Sequence, residues 1–124
     1  MEEFLVYNWE LTPLGRDEED GDIVGQQYQT SIGRIDILAR EKATGNWLVI
    51  ELKKGLSSDV VVGQILRYIG WVQEHLATDD QSVKGIIIAG DVDDKLIYAL
   101  KSSPNVELLT YTVSFQLNRV GEAG

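Results

Sequence analysis

Five stretches of this chain carry apolar residues in the alternating or continuous patterns of strands, and three carry them at helical spacing. Phe4, Leu5 and Trp9 stand near helical spacing at the N-terminus, and Pro13 and Gly15 prevent that short helix from continuing. Strands are drawn through 23–30 and 33–40. Lys42, Ala43, Thr44 and Gly45 form a turn, and a strong strand follows from Trp47 to Lys53. With Ser58 or Asp59 as N-cap, Val61, Ile65, Ile69, Val72 and Leu76 recur at helical spacing and predict the longest helix, ending near Ala77. Gly63 and Gly70 lie inside it, each costing about 1 kcal/mol relative to alanine, so a close backbone approach to a neighbouring element is the expected compensation. The continuous apolar run from Val83 to Ala89 predicts a strand buried on both faces. A further helix spans 94–101 and ends before Pro104. Leu109, Tyr111, Val113, Phe115 and Leu117 alternate with polar residues as a half-buried closing strand, and the tail after Asn118 is expected to be loose.

This order of elements predicts an α/β domain in which helices flank a mixed sheet, with a right-handed crossover from the Trp47 strand through the long helix to the Val83 strand if those two are parallel. The turn at 42–45 fixes a register. In an antiparallel hairpin closed there, facing residues sum to 87, so Leu38 opposes Val49 and Asp36 opposes Glu51. Alternation then puts Ile35, Ile37, Ala39, Leu48, Ile50 and Leu52 on one wholly apolar face, the expected core. The other face carries Arg34, Asp36, Leu38, Val49, Glu51 and Lys53. A one-residue bulge would alter this pairing.

Two carboxylates facing each other in a half-buried sheet repel, and a divalent cation resolves the conflict. Oxygen ligands without His or Cys suit Mg²⁺ or Mn²⁺, with the Leu52 carbonyl as a natural further ligand. Lys53 projects to the side of Glu51, where its charge would orient or activate a water and stabilise a developing phosphorane. In outline this is a site for phosphodiester hydrolysis. An acid-x-Lys triplet alone is a weak signal, and Asp93-Asp94-Lys95 is a second one; it sits at a helix start, where acids serve as caps.

Length and charge limit the reading. The 124 residues suffice for one domain spanning the chain, with an acidic loop at 12–22 and the tail at 118–124. The absence of cysteine excludes disulfides, thiol catalysis and thiolate zinc sites, and is compatible with the cytoplasm. No signal-peptide pattern or membrane-spanning run is present in this sequence, so a soluble cytoplasmic domain is expected. The net charge of −9 opposes phosphate binding, but Asp17, Glu18, Glu19, Asp20 and Asp22 form one run, and the rest of the chain carries −4. Weak DNA binding is therefore expected of this domain alone.

Three separated motifs, Gly33-Arg34-Ile35-Asp36-Ile37-Leu38, Val49-Ile50-Glu51-Leu52-Lys53-Lys54-Gly55 and Val62-Gly63-Gln64-Ile65-Leu66-Arg67-Tyr68, closely resemble the nuclease domain of NucS-type (EndoMS) endonucleases of the PD-(D/E)XK superfamily. The likeness covers roughly residues 1–117, the closing Tyr111 to Leu117 strand included. It implies a restriction-endonuclease-like fold and Mg²⁺- or Mn²⁺-dependent cleavage of DNA, with a place in DNA repair. Carried over, Asp36 and Glu51 are metal ligands and Lys53 is the catalytic lysine. Gln64 and Tyr68 match a glutamine-tyrosine motif whose spacing puts both on one helix face, with Gln64 toward the metal-bound water or phosphate; Tyr68 and Arg67 are read either as facing DNA, with Arg34 as a further substrate contact, or as core and solvated surface respectively. A glutamate from the first helix joins the site in many members, and Glu3 is the first candidate here, ahead of Glu2 and Glu10. NucS-type enzymes carry a further domain for DNA binding and dimer formation, which implies a homodimer or a partner DNA-binding domain. His75 is read as a surface residue, and Trp9 and Trp47 as core. The competing reading is a catalytically inactive binding module of a larger nucleic-acid-processing complex.

Overall fold

The computed structural model describes residues 22–112 and 114–121. The predicted first helix with Trp9 and all three candidate glutamates lies outside them, as does the acidic run before Asp22. The described chain folds as β1 (Asp22–Thr30), β2 (Gly33–Arg40), β3 (Trp47–Ser57), α1 (Val60–His75), β4 (Val83–Val92), α2 (Asp94–Leu100) and β5 (Val106–Thr110). Asp22 thus opens a strand and does not belong to the acidic loop. The strands form one sheet in sequential order, antiparallel from β1 to β3 and parallel from β3 to β5. No described helix is long and apolar enough to cross a membrane.

The β2–β3 hairpin keeps the predicted register from Arg40↔Trp47 to Ile37↔Ile50. Its turn is closed by Glu41 and Asn46 and by the Gly45 amide donating to the Glu41 carbonyl at 2.9 Å, with Gly45 in the left-handed region that glycine adopts without cost. Both faces of the sheet are buried. Ile37, Ala39, Leu48, Ile50, Ile86 and Ile88 form one apolar layer. Leu38 and Val49, expected on a polar face, lie instead under α1 with Ile65, Ile69, Val72 and Ile87. A helix lying across a sheet buries both the stripe and the surface beneath it, so the charged groups of the hairpin are confined to the rim of that layer.

Within β2, alternation fails beside Asp36. Ile35 and Ile37, two apart, should share a face, yet Ile35 joins the layer under α1 and Ile37 the opposite one. The strand is therefore irregular around Asp36, and the β2–β3 ladder stops one pair short of it. Opposite this point in β1, Gln27 has φ 47°, the only non-glycine at positive φ among the described residues.

Docking of α1 rests on a different glycine from those expected. Gly63 and Gly70 face open space, with nothing near where a Cβ would stand, because both fall on the exposed side of the helix. The close approach is at Gly85 in β4, where a Cβ would come within 2.8 Å of Ile69 Cδ1 and 3.0 Å of Ile65 Cδ1. Gly33, at φ 138°, leaves room for the Tyr68 hydroxyl, so the β1–β2 turn is pinned to α1. Asp59 holds the cap position of α1 without a side-chain capping bond, and the first turn is closed by backbone bonds to the Ser58 and Asp59 carbonyls. Asp93 does cap α2, accepting from the Leu96 amide at 2.9 Å, as a helix-start reading of Asp93-Asp94-Lys95 requires.

The closing strand lies earlier than its alternation implies. β5 spans Val106–Thr110, and Phe115 and Leu117 are 83% and 87% exposed. Parallel pairing with β4 runs from Gly85↔Val106 to Ala89↔Thr110, so of the alternating segment only Leu109 and Thr110 join the ladder. Alternation records an apolar face but not whether any surface covers it.

These glycines should respond in opposite directions. Gly33→Ala should lower unfolding free energy by roughly 2–4 kcal/mol in urea titrations, through a disfavoured φ and a clash with Tyr68. Gly70→Ala should raise it by up to about 1 kcal/mol. Equal effects of the two substitutions would show that neither reading of the backbone is right.

Candidate active site

Register and the irregularity at Asp36 bring the acids together. The β1–β2 pairs Gln26↔Ile37 and Tyr28↔Ile35 place Gln27 across from Asp36, the hairpin rule carries Asp36 on to Glu51, and Glu51 pairs with Ile87 in β4. The row thus runs from polar to apolar across the sheet. Because the ladder has ended, the Leu52 amide has no carbonyl partner in β2; it donates to Asp36 Oδ2 at 2.8 Å. A backbone donor to a carboxylate is a charge-assisted bond, and it fixes the Asp36 side chain against β3.

Glu51 is the buried member of the pair, 2% exposed. Its Oε1 is the buried side-chain polar atom without a hydrogen-bond partner among the described residues. Burial, then the neighbouring charge and hydrogen bond of Asp36, push its pKa from 4.5 up to about 8, with the Lys53 charge acting in the opposite sense. An acid held against another acid at the edge of a core is costly to ionise alone. The described residues contain no group of three or more Asp, Glu, His or Cys side chains arranged for a metal. The carboxylates that meet among the described residues are those of Asp36 and Glu51, a pair of oxygen donors of the kind that suits a cation keeping several waters.

Lys53 and Gln64 complete the cluster. α1 delivers Gln64 to the end of β3, where Lys53 Nζ donates to Gln64 Oε1 at 3.1 Å. The helix stripe that packs Ile65 on Gly85 sets this position, one residue earlier on the helix. Beside the pair lies a cavity of about 230 Å³, bounded also by Lys54, Leu56, Ser58 and Val60, whose lining holds two lysines and no carboxylate. Gly55, at φ 69°, and a register shift between Lys53 and Leu56 turn the strand there.

The structure brings together Asp36, Glu51, Lys53 and Gln64. Of the two readings of Tyr68, facing DNA or core, the second holds: it is 6% exposed in the layer under α1, with its hydroxyl against Gly33. Its place four residues after Gln64 is explained by packing, since that spacing points both side chains down onto the sheet. Arg34 and Arg67 are exposed, and no described contact joins either to the cluster. Glu3, Glu2 and Glu10 lie outside the described residues. His75 is at the surface, stacked on Trp71 at 4.5 Å, and Trp47 is core, with Arg40 over its ring. Sequence reasoning missed Gln27, whose Nε2 lies 3.5 Å from Asp36 Oδ1. Counting back across the turn at residues 31 and 32 would have put it opposite Asp36.

Residues 1–115 match the family model described as the endonuclease NucS C-terminal domain. Curated relatives include endonuclease NucS of Sulfolobus acidocaldarius, 28% identical over 78 residues, covering 63% of this chain and 29% of the relative. Endonuclease NucS of Methanocaldococcus jannaschii is 29% identical over 72 residues, covering 58% of this chain and 26% of the relative. The matched region is therefore under a third of these relatives' length. Among solved structures, a repair endonuclease from Pyrococcus abyssi superposes with a TM-score of 0.68 at 22% identity, over 88% of this chain and 46% of that one. An EndoMS–dsDNA complex superposes with a TM-score of 0.71 at 21% identity, over 92% of this chain and 44% of that one. At these identities the structures establish a shared mixed α/β fold.

The raised pKa of Glu51 has a signed consequence for stability. A carboxyl that holds its proton more tightly folded than unfolded adds stability fully present below about pH 4.5, and that contribution is lost as pH rises through about 8. In chelator, wild type should therefore lose stability relative to Glu51→Gln between about pH 6 and pH 9, by on the order of a few kcal/mol. Urea titrations at several pH values measure the gap. A gap that stays constant over this range would mean that Glu51 titrates like an exposed acid.

Proposed function

Because the chain belongs to the endonuclease NucS C-terminal domain family, we propose that it is a metal-dependent DNA endonuclease domain of the PD-(D/E)XK type, with a restriction-endonuclease-like fold and a role in DNA repair. The observation that carries this reading is the meeting of Asp36, Glu51, Lys53 and Gln64 at one rim of the sheet, with Glu51 Oε1 unpartnered among the described residues. A relative solved as a complex with double-stranded DNA supports DNA as the ligand.

In this reading Asp36, Glu51 and the Leu52 carbonyl hold Mg²⁺ or Mn²⁺, and the cation supplies Lewis-acid polarisation of the phosphate and a more acidic water. Asp36 is kept in place by the Leu52 amide. Glu51 must shed its proton to act as a ligand, so cation binding is favoured as pH rises toward 8. Lys53 brings positive charge to the phosphate as negative charge develops in the transition state. Gln64 orients that ammonium through its side-chain oxygen, and its amide nitrogen is a donor toward water or phosphate. The cavity beside them, lined with Lys53 and Lys54 in a chain of net charge −9, suits a phosphate-bearing strand. Arg34 and Arg67 are proposed as outlying phosphate contacts, and Glu3 as a further acid of the site.

Nicking of supercoiled plasmid in Mn²⁺ tests the proposal. Wild type should nick, and Lys53→Met should lower the rate by a factor on the order of a hundred or more while retaining Mn²⁺ affinity by calorimetry. Wild-type rates in Lys53→Met would remove the lysine from the mechanism. Wild type that binds Mn²⁺ and DNA without cutting would favour a binding module that has lost turnover.

A further inference from the structure

We propose that Gln27 is a positioning residue of the metal site, holding Asp36 in its ligating orientation through a backbone conformation that is disfavoured for its own sake. The inference rests on the proposed role of Asp36 as a ligand and adds a group from a different strand.

Three observations converge on it. Gln27 lies at φ 47°, in the left-handed region that non-glycine residues with long side chains rarely occupy. Elsewhere among the described residues positive φ falls on glycine, Gly33 at 138° at the nearby turn included, whereas this one position carries a glutamine. Its side chain is therefore what the position retains. Next, the register sets Gln27 directly across from Asp36, between the pairs Gln26↔Ile37 and Tyr28↔Ile35. That is the point where β2 loses its alternation, with Ile35 and Ile37 in opposite layers. A local irregularity of this sort re-aims a side chain, and here it re-aims an acid.

Finally, the Gln27 amide nitrogen is 3.5 Å from Asp36 Oδ1, a long contact, while Asp36 Oδ2 takes the Leu52 amide at 2.8 Å. The carboxylate is thus bracketed by donors from β1 and β3. Each of its oxygens has two lone pairs, so one donor apiece leaves acceptor capacity for a cation between Asp36 and Glu51. A strained backbone that persists beside a ligand marks a position kept for function, since packing alone would favour the relaxed residue. Partners that orient a ligating side chain commonly contribute ten- to a hundredfold in metal affinity.

The test uses Gln27→Gly, which relaxes the backbone, and Gln27→Asn, which tolerates the same φ but has a shorter reach. In the metal-free protein, both should keep or raise the melting temperature. Hydrogen exchange of the Leu52 amide should speed up in both, while the Leu48 and Ile50 amides keep their protection. Calorimetry should show Mn²⁺ affinity falling about tenfold or more. Unchanged Leu52 exchange and unchanged Mn²⁺ affinity in folded variants would overturn the assignment. So would a loss of melting temperature parallel to the loss of affinity, the pattern of a residue that only supports the fold. Wild type that binds no Mn²⁺ would overturn the metal reading itself, whereas Leu52 exchange would still report whether Gln27 holds Asp36.

Discussion

The burial of Glu51 against Asp36 is the constraint around which the rest of this domain is organised. Its row in the sheet continues into Ile87 and Leu108, so the same position one strand further is filled by an isoleucine. An apolar residue at position 51 would remove both a desolvated carboxyl and a like-charge contact. The surroundings instead accommodate the acid. The β2–β3 ladder ends early to release the Leu52 amide to Asp36, Lys53 supplies an opposing charge, and Gln64 holds Lys53. Oε1 of Glu51 has no hydrogen-bond partner among the described residues even so. Stability alone does not explain such an arrangement; the cation proposed at this site, ligated by that oxygen, would.

Placement of the cluster depends on a contact far from any charge. Ile65 and Ile69 sit over Gly85, where no side chain intervenes between helix and sheet, and this sets how deeply α1 lies. Gln64 reaches Lys53 only at that depth. Tyr68 against Gly33 sets the other end of the same helix relative to β2. Packing of this kind transmits ångström-scale errors directly into the geometry of a site, because interiors are dense and have few alternative arrangements.

Much of this was legible in the sequence, and the exceptions share a cause. The hairpin register followed from one turn and a period of two, which sufficed to bring Asp36 and Glu51 to one place. Gln64 was found through the resemblance, and its helical spacing placed it with Tyr68. What periodicity could not supply was the identity of the partner surface. Leu38 and Val49 looked like members of a polar face, although a helix covers them. Gly63 and Gly70 looked like contact points, although both face outward, and the real contact glycine is in a strand. Phe115 and Leu117 continue the alternation of a strand but stand exposed beyond the last pair with β4, Ala89↔Thr110. Ile35 crossed to the other layer because local backbone geometry at Asp36 and Gln27 overrode alternation, and no pattern of apolar residues records a positive φ.

The order of the strands also bears on how the domain is built in time. Gln27, Asp36, Glu51, Lys53 and Gln64 all belong to the stretch 27–64, and β1, β2 and β3 are joined by two tight antiparallel turns. Contacts so close in sequence close quickly, whereas β4 meets β3 in parallel only after the whole of α1 has been laid down. Where the hairpins close first, the acids meet before α1 and β4 cover them, and their dehydration belongs to that later step. On that order of events the electrostatic cost of the site falls on the docking of α1 and β4, and the hairpins form free of it.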